Sequence, residues 1–92
     1  MSRPRGRRFV NFSPQSNYFK PQGIPMRNLE VTEITHEEME ALRLYEVEEL
    51  TQTECAKKMK TSQSTIQRIL NTTHKKIANA LIEGRAIKII NS

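Results

Sequence analysis

The chain has few of the residues that build catalytic, metal-binding or disulfide-linked sites. It contains one cysteine, Cys55, no aspartate and no tryptophan, and aromatic residues make up 5% of its 92 positions. A single cysteine excludes an internal disulfide and any multi-cysteine zinc site. The sequence has no glycine-rich phosphate loop, and its two histidines, His36 and His74, have no companion ligands at metal-binding spacing. We therefore expect no enzyme activity, no metal and no cofactor.

Long apolar runs are also missing. No stretch of the sequence reaches the length of a signal-peptide core or of a membrane-spanning helix. With 36% hydrophobic and 27% charged residues, the composition is that of a globular protein, and 92 residues suffice for one modest core. We expect a soluble cytoplasmic protein that does not bind membranes.

Charge is distributed unevenly along the chain, although the net charge is only +5. Residues 1–29 carry six basic residues and no acidic one, and residues 51–92 carry eight basic residues and two glutamates. Between them, residues 30–50 carry eight glutamates and one arginine. Two basic segments separated by an acidic one are typical of a protein that binds a polyanion through one surface and exposes a separate acidic face.

The prolines indicate two regions. All four lie within residues 1–29, and because proline removes a backbone donor and fixes φ, this region is predicted to be an extended basic arm and turn. Residues 8–12 could form a short strand within it. Phe19 and Ile24 are expected to pack on the helical core because they are apolar. Residues 30–92 are predicted to form the folded domain.

Three predicted helices follow the arm, and each has a start signal. Thr35 and Thr51 are each followed three residues later by a glutamate, which is the spacing of a capping box. In that box the hydroxyl and the carboxylate satisfy backbone N–H groups of the first turn. Ser62 is a residue type that caps a further helix. These signals predict helices from Thr35 to about Glu49, from about Gln52 to Met59 and from about Gln63 to Glu83. Glu40, Arg43 and Glu46, each three residues apart on the first helix, are expected to form a solvated ion-pair ladder.

The third helix is the longest, and its apolar residues recur with helical spacing. After it, Gly84 fits a left-handed cap, and residues 86–90 resemble a short strand that could pair with residues 8–12 or with the same strand of a partner. The predicted fold is mainly α: a three-helix helix-turn-helix domain with an extended basic N-terminal arm and a short C-terminal strand. The expected core stripe of the third helix is Ile66, Ile69, Leu70, Ile77, Ala80 and Leu81.

The second and third helices are separated by so few residues that they predict a helix-turn-helix. In that motif the second helix enters the DNA major groove with its first turns. Glutamine and asparagine can pair with adenine and arginine with guanine, while serines and helix N-terminal amides suit phosphate oxygens. The predicted groove contacts are Ser62, Gln63, Ser64, Gln67, Arg68 and Asn71.

Basic residues outside this motif are the predicted phosphate contacts. Lys57 and Lys60 lie beside the turn, with Lys58, Lys75 and Lys76 as further candidates. The arm could cross phosphates or enter an adjacent narrow minor groove. Neutralising about six phosphates predicts a slope of log K against log salt near about −5. The arm residues that would make these contacts are Arg3, Arg5, Arg7 and Arg8.

Several motifs are specific enough to indicate a family. They are Arg3-Pro4-Arg5 with Arg7-Arg8, Tyr18-Phe19-Lys20-Pro21-x-Gly23-Ile24-Pro25, Glu40-Ala41-Leu42-Arg43-Leu44 and Ala78-x-Ala80-Leu81-Ile82-Glu83-Gly84. With these motifs, nearly the whole chain resembles the domain-of-unknown-function 134 family of short prokaryotic proteins predicted to bind DNA. Residues 50–81 also resemble the DNA-binding tail region of bacterial sigma factors. Family members usually have Gly-Val in the turn. Lys60 is therefore expected to adopt a left-handed conformation at a cost of about 1 kcal/mol, unless the turn differs.

These observations predict a sequence-specific DNA-binding protein, a transcriptional regulator that binds as a homodimer to half-sites about one helical turn apart. The alternative is a protein-interaction module that uses the helix-turn-helix as a scaffold and the acidic helix 35–49 as its docking face. RNA is a less favoured partner because no exposed aromatic platform is evident. The sequence leaves the identity of any small-molecule effector open.

Overall fold

A computed structural model describes residues 17–91 of the protein. The arm residues Arg3, Arg5, Arg7 and Arg8 and the possible strand 8–12 lie outside this range. The described chain is mainly helical, as predicted, and adds a small three-stranded sheet. Its elements are β1 (Tyr18–Phe19), a 3-10 turn (Met26–Asn28), β2 (Val31–Thr35), α1 (His36–Leu42), a π-helical segment (Arg43–Val47), α2 (Gln52–Met59), α3 (Gln63–Glu83) and β3 (Ala86–Ile90).

The C-terminal strand β3 is confirmed and forms the centre of the sheet, whose order is β1-β3-β2. It pairs antiparallel with β1, with Tyr18 opposite Lys88, and parallel with β2, with Val31 opposite Ala86. Both sides of β3 thus pair with strands of the same chain, which leaves no free edge at these residues for the suggested pairing with a second copy. The sheet contains strands from both predicted regions, since β1 precedes residue 30 and β2 follows it.

The main core lies where α1, the π-helical segment, α2 and α3 meet. Cys55 and Ala56 are buried on α2, and such small side chains allow α2 to approach α3 closely. Burial raises the pKa of the Cys55 thiol, which together with its contacts fits a packing role. The buried members of this cluster are Ala41, Leu44, Cys55, Ala56, Met59, Ile66 and Leu70.

Three apolar residues expected in the core are exposed. Leu81 is 73% exposed, because the sheet covers α3 on the side of Ala80 and no described element covers the side of Leu81. Phe19 and Ile24 are 56% and 39% exposed. Phe19 lies in the two-residue edge strand β1, which packs mainly against its neighbour β3. Phe19 and its exposed neighbour Tyr18 project to opposite faces of the sheet, so they do not form a single aromatic platform.

The first predicted helix is shorter than expected and its charges are arranged differently. The α-helical part, α1, ends at Leu42 and is followed by the π-helical segment, in which the N–H of Glu48 donates to the carbonyl of Arg43.

The ion-pair ladder expected on this helix is not solvated, so that prediction is wrong: the Glu40 side chain is only 1% exposed. Its two carboxylate oxygens accept from Nε and Nη2 of Arg43, both at 3.1 Å. This bond raises the pKa of Arg43 and supplies the partner that a buried carboxylate requires.

Candidate nucleic-acid interface

A tight turn joins α2 to α3, and local chemistry fixes both of its ends. α2 starts with the predicted capping box, in which Thr51 Oγ1 accepts from the Glu54 N–H at 3.1 Å and Glu54 Oε1 accepts from the Thr51 N–H at 2.8 Å. It ends at Met59, and the next residue, Lys60, adopts the expected left-handed conformation with φ 59° and ψ 50°. The Thr61 N–H then donates to the carbonyl of Ala56 at 2.9 Å. The next residue is already the cap of α3.

Ser62 is that cap. Its Oγ accepts from the Thr65 N–H at 3.2 Å and donates to Thr65 Oγ1 at 2.9 Å. Ser64 Oγ lies 3.2 Å from Ser62 Oγ. The hydroxyl of Ser62 is therefore engaged in holding the first turn of α3, while its side chain is still exposed at the surface.

The predicted groove contacts on α3 all lie on its exposed side. Ile66, Leu70 and Thr73 are buried against the rest of the protein and define the opposite side of the helix. At 3.6 residues per turn, the polar residues that alternate with them form one continuous surface over the first three turns. We call this surface the polar face of α3; it consists of Gln63, Ser64, Gln67, Arg68 and Asn71, all exposed.

Most of the polar face has no hydrogen-bond partner within residues 17–91. The side chains of Gln67, Arg68 and Asn71 make no hydrogen bond or ion pair with other residues of the 17–91 range. Gln63 differs, because its Oε1 lies 3.4 Å from Oγ1 of Thr53 in α2. Gln67, Arg68 and Asn71 can therefore offer donors and acceptors to a ligand without first breaking bonds within the described protein, whereas Gln63 and Ser64 each have one internal contact.

Lysines lie beside the polar face, and none of its own residues is acidic. Lys57, Lys58, Lys60 and Lys75 are exposed, and the sequence contains no acidic residue between Glu54 and Glu83. A surface of this kind carries a positive potential that attracts a polyanion.

Lys76 does not belong to this basic surface, contrary to its place among the candidate phosphate contacts. Its Nζ donates to Oε1 of Glu38 and to the carbonyl of Glu33, both at 2.9 Å. Lys76 lies on the side of α3 that faces β2 and the start of α1, one residue along the helix from the exposed Lys75. It therefore attaches α3 to the rest of the fold.

Sequence reasoning did not find two contacts that border the polar face. Thr53 meets Gln63 from a position ten residues earlier, and Nε2 of His74 lies 2.9 Å from Oε2 of Glu46, 28 residues earlier. Neither pair has a spacing within one helix, so no periodic signal could reveal it. Both depend on the crossing of separate helices.

An open cavity of about 290 Å³ lies between β2 and the last turns of α3, lined in part by Lys76, Asn79 and Arg85. Both of its cations have carboxylate partners. Residues 17–91 contain no group of three or more histidine, cysteine or acidic residues placed to hold a metal ion. None of the helices in that range combines the length and apolar composition needed to cross a membrane.

Comparisons with known proteins place the chain in context. The model of a family described as "Protein of unknown function DUF134" matches residues 1–92. The UPF0251 protein of Halothermothrix orenii is 49% identical over 88 residues, which cover 96% of this chain and 65% of that protein. The UPF0251 protein of Desulforudis audaxviator is 51% identical over 89 residues, which cover 97% of this chain and 58% of that protein. That of Clostridium tetani is 47% identical over 89 residues, covering 97% and 60%.

The similarity extends over almost all of this chain but not over all of the relatives. The chain spans about three fifths of the length of the curated relatives it matches. No solved structure gives a significant match.

Proposed function

From the premise that the chain belongs to the DUF134 family, we propose that it is a sequence-specific DNA-binding protein and transcriptional regulator. In this proposal α2 and α3 form a sigma-factor-like helix-turn-helix, and α3, over residues 63–82, reads the major groove. One observation carries the proposal: five hydrogen-bonding side chains lie exposed on one side of α3, directly after a tight turn from α2.

The dimensions and chemistry of this surface suit a B-DNA major groove. The groove is about 12 Å wide and admits an α-helix. Amide side chains such as Gln67 and Asn71 can pair with adenine, and Arg68 with guanine, each for about 1–3 kcal/mol of discrimination. Because these three side chains make no hydrogen bond or ion pair within residues 17–91, base contacts would break no bond of that range.

Electrostatics supports the same partner. Lys57 and Lys60 lie beside the turn and would contact the phosphates that border the groove, and Arg3, Arg5, Arg7 and Arg8 of the arm would add further phosphate or minor-groove contacts. If about six phosphates are neutralised, log K should fall with log salt at a slope near about −5. A DNA partner also implies a location in the cytoplasm of a prokaryotic cell.

Selection from a random duplex pool, followed by titration of the selected duplex at several salt concentrations, tests the proposal. We expect one enriched sequence, and a loss of about five- to a hundredfold in affinity for it in Asn71→Ala or Gln67→Ala. Asn79→Ala is a matched control, because Asn79 is exposed on the same helix beyond the polar face. Equal affinity of the wild type for selected and scrambled duplexes would contradict the proposal.

The proposal includes assembly as a homodimer on half-sites about 34 Å apart. Leu81 and Ile82, 73% and 84% exposed, form an apolar surface near the end of α3. They lie about 20 Å along the helix from Arg68 at 1.5 Å per residue, so a contact between copies there is separate from the polar face. Sedimentation of the protein with and without the selected duplex would give the stoichiometry, and one protomer per duplex would contradict this part.

A second candidate function is a protein-interaction module with an acidic docking face. It is favoured by Val47, which is 72% exposed among the exposed residues Glu46, Glu48 and Glu49. The acidic face is narrower than the sequence indicated, because Glu38 and Glu40 are buried and paired. This function predicts DNA binding without sequence preference. It also predicts a protein partner whose affinity falls in Val47→Ser while the affinity for DNA does not.

A further inference from the structure

Thr53 contacts the first groove-reading residue across the turn. Its Oγ1 lies 3.4 Å from Oε1 of Gln63, in a side-chain hydrogen bond that joins the first turn of α2 to the first residue of α3. Both side chains are exposed, so the contact lies at the surface where DNA would bind.

The orientation of this bond decides which atoms of Gln63 face outward. A glutamine amide has one acceptor oxygen and an NH₂ group with two donors. Oε1 cannot donate, so the Thr53 hydroxyl must donate to it. The positive N-terminal ends of α2 and α3 favour the same orientation, because both attract the negative end of the amide dipole. The NH₂ group of Gln63 is thereby left pointing away from Thr53.

Gln67, one turn later on the polar face, is under no such constraint. Its amide makes no hydrogen bond with other residues of the described range, so its acceptor and its donors are equally available. Two residues of the same type on one face thus have different hydrogen-bonding capacity. Their sequence spacing gives no sign of this difference.

Building on the proposed function, we infer that Thr53 is a positioning residue that determines base specificity through Gln63. Because Oε1 is turned towards Thr53 and the NH₂ group points outward, Gln63 presents its donors to the groove. Guanine presents two acceptors in the major groove, whereas adenine presents one acceptor and one donor. Gln63 therefore selects guanine over adenine at its base pair, and Gln67 retains the bidentate pairing with adenine.

The first test measures the free protein. In ¹H–¹⁵N spectra of the side-chain amides, the Gln63 NH₂ group is expected to be more ordered than that of Gln67. Thr53→Val, which keeps the branched shape but removes the hydroxyl, should abolish the difference, and Thr53→Ser should preserve it. Equal mobility of the two amides in the wild type overturns the inference without involving DNA.

The second test measures base preference with the random duplex pool and with all single-base variants of the selected duplex. Gln63→Ala identifies the base pair that Gln63 reads, because the preference there is lost. In Thr53→Val the preference at that base pair should shift from guanine towards adenine by about two- to tenfold, the range for one hydrogen bond. Thr53→Ser should restore it. Thr32→Val is the matched control, since Thr32 lies in β2 away from α2.

The outcomes separate the inference from the function on which it rests. If Gln63→Ala removes the base preference at one base pair and Thr53→Val leaves all base preferences unchanged, the inference is wrong and the DNA-binding proposal stands. If Gln63→Ala alters the base preference at no base pair while Gln67→Ala alters it at one, Gln63 does not contact a base and the inference is again wrong. If the wild type shows no preference at any base pair, both fail.

Discussion

The two halves of α3 have the same helical backbone but different surroundings. The first half, to about Asn71, packs Ile66 and Leu70 on the helical core and exposes the polar face. The second half packs Ala80 against the sheet side and exposes Leu81 and Ile82. The apolar stripe continues through both halves, but the element that covers it changes from α1 and α2 to the sheet. Exposure along α3 therefore depends on its neighbours as well as on its periodicity.

The largest expected effect comes from the same substitution made in each half. Ile66→Ala, at a fully buried position, should lower the free energy of unfolding by about 2–5 kcal/mol because it leaves a cavity in the core. Ile82→Ala, at an 84% exposed position, should change it by less than about 0.5 kcal/mol. Urea unfolding followed by circular dichroism measures both. Equal losses would mean that both halves are covered in solution.

The second effect concerns the Glu40–Arg43 pair, which lies beside the helical core on which the first half of α3 packs. Glu40→Gln removes the charge that holds Arg43 beside the core, and we expect a loss of about 2 kcal/mol, below the usual cost of breaking a buried pair because Arg43 is partly exposed and also contacts Glu48. Glu37→Gln, at an exposed position on the same helix, is the control and should change stability by a few tenths of a kcal/mol. If the two variants unfold at the same urea concentration, the Glu40–Arg43 pair contributes nothing to the core.

The third effect concerns the attachment of the second half. Lys76→Met breaks the contacts to Glu38 and to the Glu33 carbonyl but retains the aliphatic stem, so about 1 kcal/mol should be lost. Lys75→Met, one residue earlier and exposed, should leave stability within about 0.5 kcal/mol. In the DNA titration Lys75→Met should lose more affinity than Lys76→Met, because of the two lysines only Lys75 borders the polar face. A greater loss of DNA affinity in Lys76→Met would contradict this division.

The smallest effect concerns the turn before α3. Lys60 is a non-glycine residue at φ 59°, so Lys60→Gly should stabilise the protein by about 0.5–1 kcal/mol. Lys58→Gly, inside α2, should instead destabilise it by about 1 kcal/mol, which is the cost of glycine in a helix. A shift of both midpoints in the same direction would show that the left-handed residue is not strained.

The features predicted correctly from the sequence are those fixed by local chemistry. The capping boxes at Thr35 and Thr51 each depend on residues within one turn, and both occur as predicted. The left-handed conformation of Lys60 was expected from the family resemblance, because family members usually have glycine at this position of the turn, and the β3 pattern depends on five consecutive residues. The exposure of the polar face follows from helical periodicity next to a well-packed core.

The features that sequence reasoning missed depend on distant parts of the chain. β2 was not predicted, because its pairing partner β3 lies more than fifty residues later. The burial of Glu40 depends on Arg43 and on the helices that cover the pair, and the exposure of Leu81 depends on where the sheet ends. For the candidate site, the Thr53–Gln63 contact required the crossing of α2 and α3. Periodicity describes one element at a time and cannot report such contacts.

The central place of β3 has a consequence for the order of folding. Its partners β1 and β2 are separated from it by the whole length of the helices, so closing the sheet costs loop entropy that must be recovered from contacts of high sequence separation. The helices, whose contacts are closer in sequence, can collapse first. We expect the strands to assemble late. In a nascent chain that lacks residues 86–90, β1 and β2 have no strand between them to pair with, so the sheet should not form.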